Sequence, residues 1–300
     1  MGSPEFAVPC LRALAANYAV VGVVTQPDRP AGRGQTLTPP PVKALAEQLG
    51  LPILQPQKLR QPEAMQALRD WQPDLIVVTA FGQILRPQAL DMPALGCVNV
   101  HASLLPRWRG AAPINAAILH GDAHTGVTIM RMDAGVDSGP LLNQRSLEIK
   151  PAETALGLSA RLAELGAELL IETLPCYLRG EIVAQAQDET LATYAPMLKK
   201  EDGELDFKLS AVELERKVRA FQPWPGAFTS WQGGLLKVHQ ARWISNPEIE
   251  ATLAAGDHAI YQGLPAIRAA QGMLVLEELQ PAGKKPMAGK VFLQGARNWL

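Results

Sequence analysis

Apolar residues along this chain follow two alternating rhythms. AVVGVVT at 19–25 and LIVVTAF at 75–81 are short, nearly continuous and rich in β-branched residues, which predicts buried strands. Between them, apolar positions at three- and four-residue spacing predict helices near 42–49 and 62–71, with a short strand at Leu51–Leu54. Phe6, Cys10, Leu11 and Leu14 share one face of an opening helix that follows Gly2, Ser3 and Pro4. Further strands are expected at Cys97–His101, 125–132 and 140–149, with helices over 112–120 and 153–178. Helix and strand taking turns in this way predict an α/β unit on a mostly parallel sheet.

A glycine turn that opens a helix normally follows a strand, and here only Met1 precedes it. The first strand of the sheet is therefore expected to be missing from this chain, with Met1 an internal methionine. Its loss would leave backbone donors and acceptors of the neighbouring strands unpaired, each buried group costing about 1–3 kcal/mol.

The pattern weakens from Gly180 to about Lys200, which reads as a linker. Beyond it, SAVELERKVRAF at 210–221 is an amphipathic helix, and the short runs AFTSW, LLKVHQARW, AIYQG, PAIRAA and MLVLEEL recur between Gly, Pro and Asn turns. Such spacing predicts a small Greek-key barrel. The expected organisation is a catalytic domain at 1–180, a linker at 181–199 and a barrel domain at 200–300. One other stretch breaks the rhythm. QPDRPAGRGQTLTPPP at 26–41 holds five prolines and two glycines, with Arg29 and Arg33 against the single acid Asp28. It is either a plain connector or a basic finger reaching an acidic partner.

Composition narrows the function classes. Of 300 residues, 47% are hydrophobic and 19% charged, and a net charge of -1 means that any nucleic-acid contact must come from a local patch. Three cysteines without a C-x-x-C pair fit a reducing cytoplasm. No apolar run reaches the roughly 18 residues of a membrane span, and no signal-peptide pattern opens the chain. A soluble protein that is not exported is expected.

The chemistry concentrates in CVNVHASLLPRWRGAAP at 97–113 and in the turn MDAGVDSGP at 132–140. A side-chain period of two puts Asn99 and His101 on one face of a strand, with Val98 and Val100 on the other. An amide, an imidazole and the carboxylate of Asp137 at neighbouring strand ends supply an oxyanion donor, a proton acceptor and a group that orients the acceptor. That trio suits acyl transfer to an amine. The plainer alternative makes His101 a hydrogen-bonded core histidine and Asp137 a turn former. Other signals are weaker. His120 and His124 have a helical metal-pair spacing, but Gly121 between them ends the helix, and no metal is expected. No G-x-S-x-G elbow surrounds Ser103 or Ser138, and Gly32-Arg33-Gly34 is too little for a phosphate cradle. In the second half, Arg216, Lys217, Arg219, Lys284, Lys285 and Lys290 lie near aromatic residues, which fits nucleic-acid binding or, equally, a solvated face over a core containing Trp224 and Trp231.

CVNVHASLLPRWRGAAPI followed by GVTIMRMDAGVDSGP resembles the folate-dependent formyltransferase family. TQPDRPAGRG, LKKEDGELDF, RAFQPWPGAF and LQPAGKKPM narrow the likeness to its branch that acts on methionyl-tRNA. The resemblance implies a Rossmann-like formyltransferase domain with a C-terminal OB-like barrel. It implies transfer of a formyl group from the cosubstrate 10-formyltetrahydrofolate to the methionine amino group of initiator methionyl-tRNA, in translation initiation. By motif position, Asn99, His101 and Asp137 match the catalytic trio, and Ser103, Leu104, Leu105 and Pro106 match the folate-contacting loop. Phe81, Gly82, Gln83, Ile84 and Leu85 fall where the family walls the pterin pocket, with Phe81 in place of the more usual Tyr. Arg33 matches an acceptor-stem contact, and Lys284 and Lys285 match tRNA contacts of the barrel. A monomer without membrane contact is expected. The competing readings are a relative acting on a small molecule, an amino-sugar formyltransferase or a formyl-folate hydrolase, and a catalytically silent tRNA-binding protein.

Overall fold

The computed structural model of the chain describes residues 1–31 and 36–300. Two compact units form, one of residues 1–113, 124–148 and 159–195, the other of 114–123, 149–158 and 196–300. In order to residue 195, the elements are α1 (Val8–Asn17), β1 (Val23–Val24), the antiparallel pair β2 (Arg29–Ala31) and β3 (Thr36–Thr38), α2 (Pro41–Gln48), β4 (Ile53–Leu54) and α3 (Pro62–Asp70). Then follow β5 (Ile76–Val78), α4 (Pro87–Leu90), β6 (Cys97–His101), β7 (Arg109–Gly110), α5 (Pro113–Leu119), β8 (His124–Arg131), β9 (Leu141–Glu148), α6 (Ala155–Leu178) and β10 (Tyr194–Ala195). Pro41, Pro62 and Pro87 start their helices, at a position whose N–H would have no helical partner and where a fixed φ already suits the helix.

Strand β6 is the pivot of the sheet. It pairs in parallel with β5 and antiparallel with β8, which pairs antiparallel with β9; β1 pairs in parallel with β4. The expected parallel order thus stops at β6. Strand β8 starts from the end where β6 finished, with Thr128 opposite His101 and Arg131 opposite Val98. Helix α6 lies against β6 and β8. A Cβ on Gly166 would stand 2.9 Å from Val100 Cγ1, so the close approach requires glycine there. Leu162, Leu169, Leu170 and Leu174 of the same helix are buried, each such side chain stabilising the fold by about 1.5–3 kcal/mol.

Of the strands expected at 19–25 and 75–81, only Val23–Val24 and Ile76–Val78 are formed. Between them stand Met1 and Gly2. The Met1 ammonium donates to the Val77 carbonyl at 2.5 Å, Thr79 N–H to the Met1 carbonyl at 2.8 Å, and Gly2 N–H to the Val24 carbonyl at 3.0 Å. The expected gap in the sheet is thus bridged by two residues. Beyond them a cavity of about 310 Å³ opens, lined among others by Leu14, Tyr18, Val20, Trp71 and Leu75. Val21, which also lines it, is 45% exposed.

The second unit has α7 (Ala211–Ala220), β11 (Ala227–Trp231), β12 (Gly234–Ile244), α8 (Pro247–Glu250), β13 (His258–Tyr261), β14 (Leu264–Arg268), β15 (Met273–Pro281), β16 (Met287–Ala288) and α9 (Gly289–Gly295). Ser210 and Glu213 cap α7 reciprocally. The sheet is antiparallel in the order β11-β12-β15-β14-β13, with β16 on β15, and among the described residues it does not close into the expected barrel. Two tight turns build it: Gln232-Gly233 and Gln262-Gly263 have φ of 50° and 73°, and 51° and 74°, the paired positive values of a hairpin turn that matches strand twist. Leu214, Leu236, Leu276, Phe292 and Trp299 fill the core. No helix among the described residues is long and apolar enough to cross a membrane.

Candidate active site

All five residues of β6 are buried, and their alternation turns Asn99 and His101 to one face. Asp137 comes from the turn joining β8 to β9, held at φ 51°, a conformation that side chains other than glycine adopt only when their surroundings require it. The three meet. Asn99 Nδ2 donates to Asp137 Oδ1 at 3.2 Å, and Asp137 Oδ2 lies 3.6 Å from His101 Nδ1. The second carboxylate oxygen also accepts from the Gly110 N–H at 2.8 Å.

The other ring nitrogen settles the tautomer. His101 Nε2 lies 2.9 Å from the Trp108 carbonyl, which can only accept, so Nε2 carries a proton. In the neutral ring Nδ1 is then the lone pair, and it faces the carboxylate. A proton arriving at Nδ1 would find a negative charge in place. Asn99 keeps its second N–H for a further acceptor, because only one is used by Asp137. The amide, the imidazole and the carboxylate therefore meet at the carboxyl end of β6, the sheet end at which open α/β folds bind ligands.

That loop is tied down at many points. Ser103, fully buried, donates to the Arg107 carbonyl at 2.6 Å. Thr128 Oγ1 donates to the Ser103 carbonyl and accepts from Leu105 N–H, at 2.6 and 3.1 Å, and Gln144 Nε2 donates to the Leu105 carbonyl at 2.8 Å. Further on, β7 pairs in parallel with β10. Gly110, at φ 107°, has no room for a side chain, since a Cβ would lie 2.7 Å from the Ala195 carbonyl oxygen. Arg109 is 1% exposed and makes a two-pronged contact with Glu189, both bonds 2.8 Å, which raises its already high pKa. Cysteine chemistry is absent from the site: burial pushes the Cys97 thiol up to about 12, far from a nucleophilic thiolate near neutral pH.

The remaining sequence-predicted residues are spread more widely. Phe81–Leu85 follow β5 at the same sheet end as Ser103–Pro106, with Phe81 and Leu85 buried and Ile84 86% exposed. The Phe81 carbonyl accepts from Gln26 Nε2, and Gln83 is bonded to Leu59 N–H and the Pro56 carbonyl. Arg33 lies outside the described residues. Lys284 and Lys285 are exposed on the second unit. Of the basic residues on α7, Arg219 is engaged by Glu215 and the Glu153 carbonyl, and Lys217 by the Glu204 carbonyl, so those two are structural. Trp231 packs edge-on against Phe292 at 4.9 Å, whereas Trp224 is 54% exposed. His120 Nδ1 donates to the Ala116 carbonyl, His124 opens β8, and no metal-binding cluster occurs among the described residues.

Sequence reasoning did not single out Gly110, Thr128, Gln144, Gln187 or Thr193. Only Gly110 carried a signal, as the glycine of the PRWRG turn next to the trio.

A formyl transferase family model matches residues 2–174, and a formyl transferase C-terminal domain model matches residues 197–297. A methionyl-tRNA formyltransferase of Myxococcus xanthus is 51% identical over 296 residues, covering 98% of this chain and 93% of its own. One from Chloroflexus aggregans is 49% identical over 296 residues, covering 98% and 96%. Among solved structures, WlaRD, a sugar 3N-formyl transferase determined in the presence of dTDP and 5-N-formyl-THF, superposes with a TM-score of 0.68 at 17% identity, over 95% of this chain and 97% of that one. This last likeness speaks for the fold alone.

Proposed function

Because the chain belongs to the formyl transferase family and lies among its methionyl-tRNA formyltransferases, we infer that it moves the formyl group of 10-formyltetrahydrofolate onto the amino group of methionine on initiator tRNA. The observation that carries the reading is the convergence of Asn99, His101 and Asp137 at the carboxyl end of β6.

The chemistry follows from their positions. The methionine nitrogen attacks the formyl carbon, and the carbonyl electron pair moves onto oxygen. The free N–H of Asn99 donates to that developing oxyanion, a contribution of about 10²- to 10³-fold in rate for a single donor. The attacking nitrogen then gives its proton to His101 Nδ1, where the Asp137 carboxylate faces the new charge at 3.6 Å. The same proton passes to the departing N10 of the folate as the carbon–nitrogen bond breaks. No covalent enzyme intermediate and no metal is needed.

Ser103, Leu104, Leu105 and Pro106, pinned by Thr128 and Gln144, are read as one wall of the folate site, and Phe81–Leu85 as another. Arg33, Lys284 and Lys285 are assigned to tRNA. We place the reaction in a monomer in the cytoplasm, with residues 1–180 as the catalytic domain, 181–199 as linker and 200–300 as the tRNA-binding domain.

Consumption of formyl-folate with methionyl-tRNA, free tRNA or an amino-sugar nucleotide as acceptor tests the assignment. Turnover with methionyl-tRNA alone is expected. Turnover with the sugar nucleotide, or with water as the only acceptor, would overturn it. Arg33→Ala is expected to raise the KM for methionyl-tRNA by about tenfold, as for a phosphate contact, and to leave the KM for folate unchanged.

A further inference from the structure

The segment read as a linker reaches back into the catalytic end of the sheet. Gln187 Nε2 donates to the Asp137 carbonyl at 2.8 Å and to the Gly139 carbonyl at 2.7 Å, so both of its amide hydrogens hold the turn that carries the candidate catalytic carboxylate. Its Oε1 accepts from Arg109 Nε and Nη2, at 3.1 and 2.9 Å. Arg109 is buried and is itself held by Glu189. Two residues earlier, Gln185 and Leu141 exchange backbone hydrogen bonds of 2.7 and 2.9 Å, which fixes the start of β9. Six residues later, Thr193 Oγ1 accepts from Trp108 N–H at 2.9 Å, and the Thr193 carbonyl accepts from Arg109 N–H at 2.8 Å. The stretch 185–195 therefore braces both neighbours of His101, Asp137 on the Nδ1 side and the Trp108 carbonyl on the Nε2 side.

We propose that Gln187 is a positioning residue for formyl transfer, acting only through Asp137. The proposal rests on the trio reading above and deepens it. The physical need is plain: Asp137 sits at positive φ in an exposed turn, and a carboxylate on such a turn is free to wander unless its backbone is clamped. Gln187 clamps the carbonyls on either side of Ser138, using donors that Arg109 keeps oriented. A shift of about 1 Å at a reacting group costs on the order of 10²-fold in rate.

Two substitutions separate this role from simple support of the fold. Gln187→Met removes the whole amide, while Gln187→Glu keeps an oxygen for Arg109 and sets a carboxylate oxygen, which cannot donate, against the two turn carbonyls. Each is expected to lower kcat about 10- to 100-fold, with KM for folate and methionyl-tRNA within about twofold of the wild type. On an Asp137→Ala background, Gln187→Met is expected to add less than about twofold, because its effect passes through the missing carboxylate. An equal loss in both backgrounds, or full activity of Gln187→Glu, would make Gln187 a structural partner of Arg109 and overturn the proposal. Wild-type turnover by Asp137→Ala alone would instead overturn the trio reading.

Discussion

Two places in the first unit, the carboxyl end of β6 and the space between β1 and β5, are built in opposite ways. At the carboxyl end of β6, polar groups crowd together and nearly all find partners: the Asp137 carboxylate accepts from Asn99 and Gly110, and its backbone carbonyl accepts from Gln187. Between β1 and β5, two residues stand where a strand would fit, the neighbouring space is apolar and open, and a buried ammonium lies at its mouth. Position is held at the first place by many directional bonds, each worth about 0.5–1.5 kcal/mol net. At the second, apolar surface lacks contacts, which loses dispersion and burial energy. Directional bonds are concentrated at the candidate site, and open apolar space sits one strand further along.

The largest expected effect strikes the rigid side. Gly110→Ala would drive a Cβ against the Ala195 carbonyl and shift the N–H that holds Asp137. A loss of at least about 100-fold in kcat is expected, measured beside a thermal midpoint that shows the protein still folded. Retained activity would mean that the Gly110 donor is dispensable. Next comes the loose side. Joining five apolar residues of strand-forming type ahead of Met1 would pair both exposed backbone rows and fill the 310 Å³ cavity. A gain of about 2–4 kcal/mol is expected, since burial at about 1.5–3 kcal/mol per side chain exceeds an ordering cost of about 1–2 kcal/mol per residue. No change in the denaturation midpoint would show that the cavity is already well packed in solution.

Smaller effects sharpen the contrast. Glu189→Gln removes one prong from Arg109, but its side chain is 68% exposed and water can replace it, so a loss below about 1 kcal/mol is expected in chemical denaturation. Last is a pH effect. Burial lowers the Met1 ammonium from its ordinary value of 8.0 to about 6. Between those values the unfolded chain binds more protons than the folded one, so this group's contribution favours folding above pH 8 and is lost as the pH falls toward 6. Acetylating Met1 removes the titrating amine, and the difference in stability between the acetylated and free chains should therefore grow as the pH falls through that window. A difference that stays flat would mean that the ammonium is hydrated.

Much of this was legible in the residues, for identifiable reasons. Asn99 and His101 are two apart in a strand, so one local periodicity places both, and Asp137 sits in a Gly- and Asp-rich turn that announces itself. The reversal at β8 was not legible, because periodicity marks a strand without giving its direction. The run at 19–25 looked like a complete strand since nearly all its residues are apolar or β-branched, yet only Val23 and Val24 pair in register with β4. Trp231 and Trp224, seven apart beside similar neighbours, separate only once β11 turns one of them toward Phe292. Gln187 gave no signal at all. It stands in the polar run AQAQDET, and its meaning comes from a carbonyl 50 residues earlier in the chain.

Single-turnover formyl transfer to methionyl-tRNA by His101→Ala, with folate and tRNA both saturating, tests the central claim most directly. With the proposed proton acceptor gone and the proposed folate walls untouched, the transfer rate is expected to fall at least about 100-fold while both substrates still bind. Transfer at the wild-type rate would contradict the account.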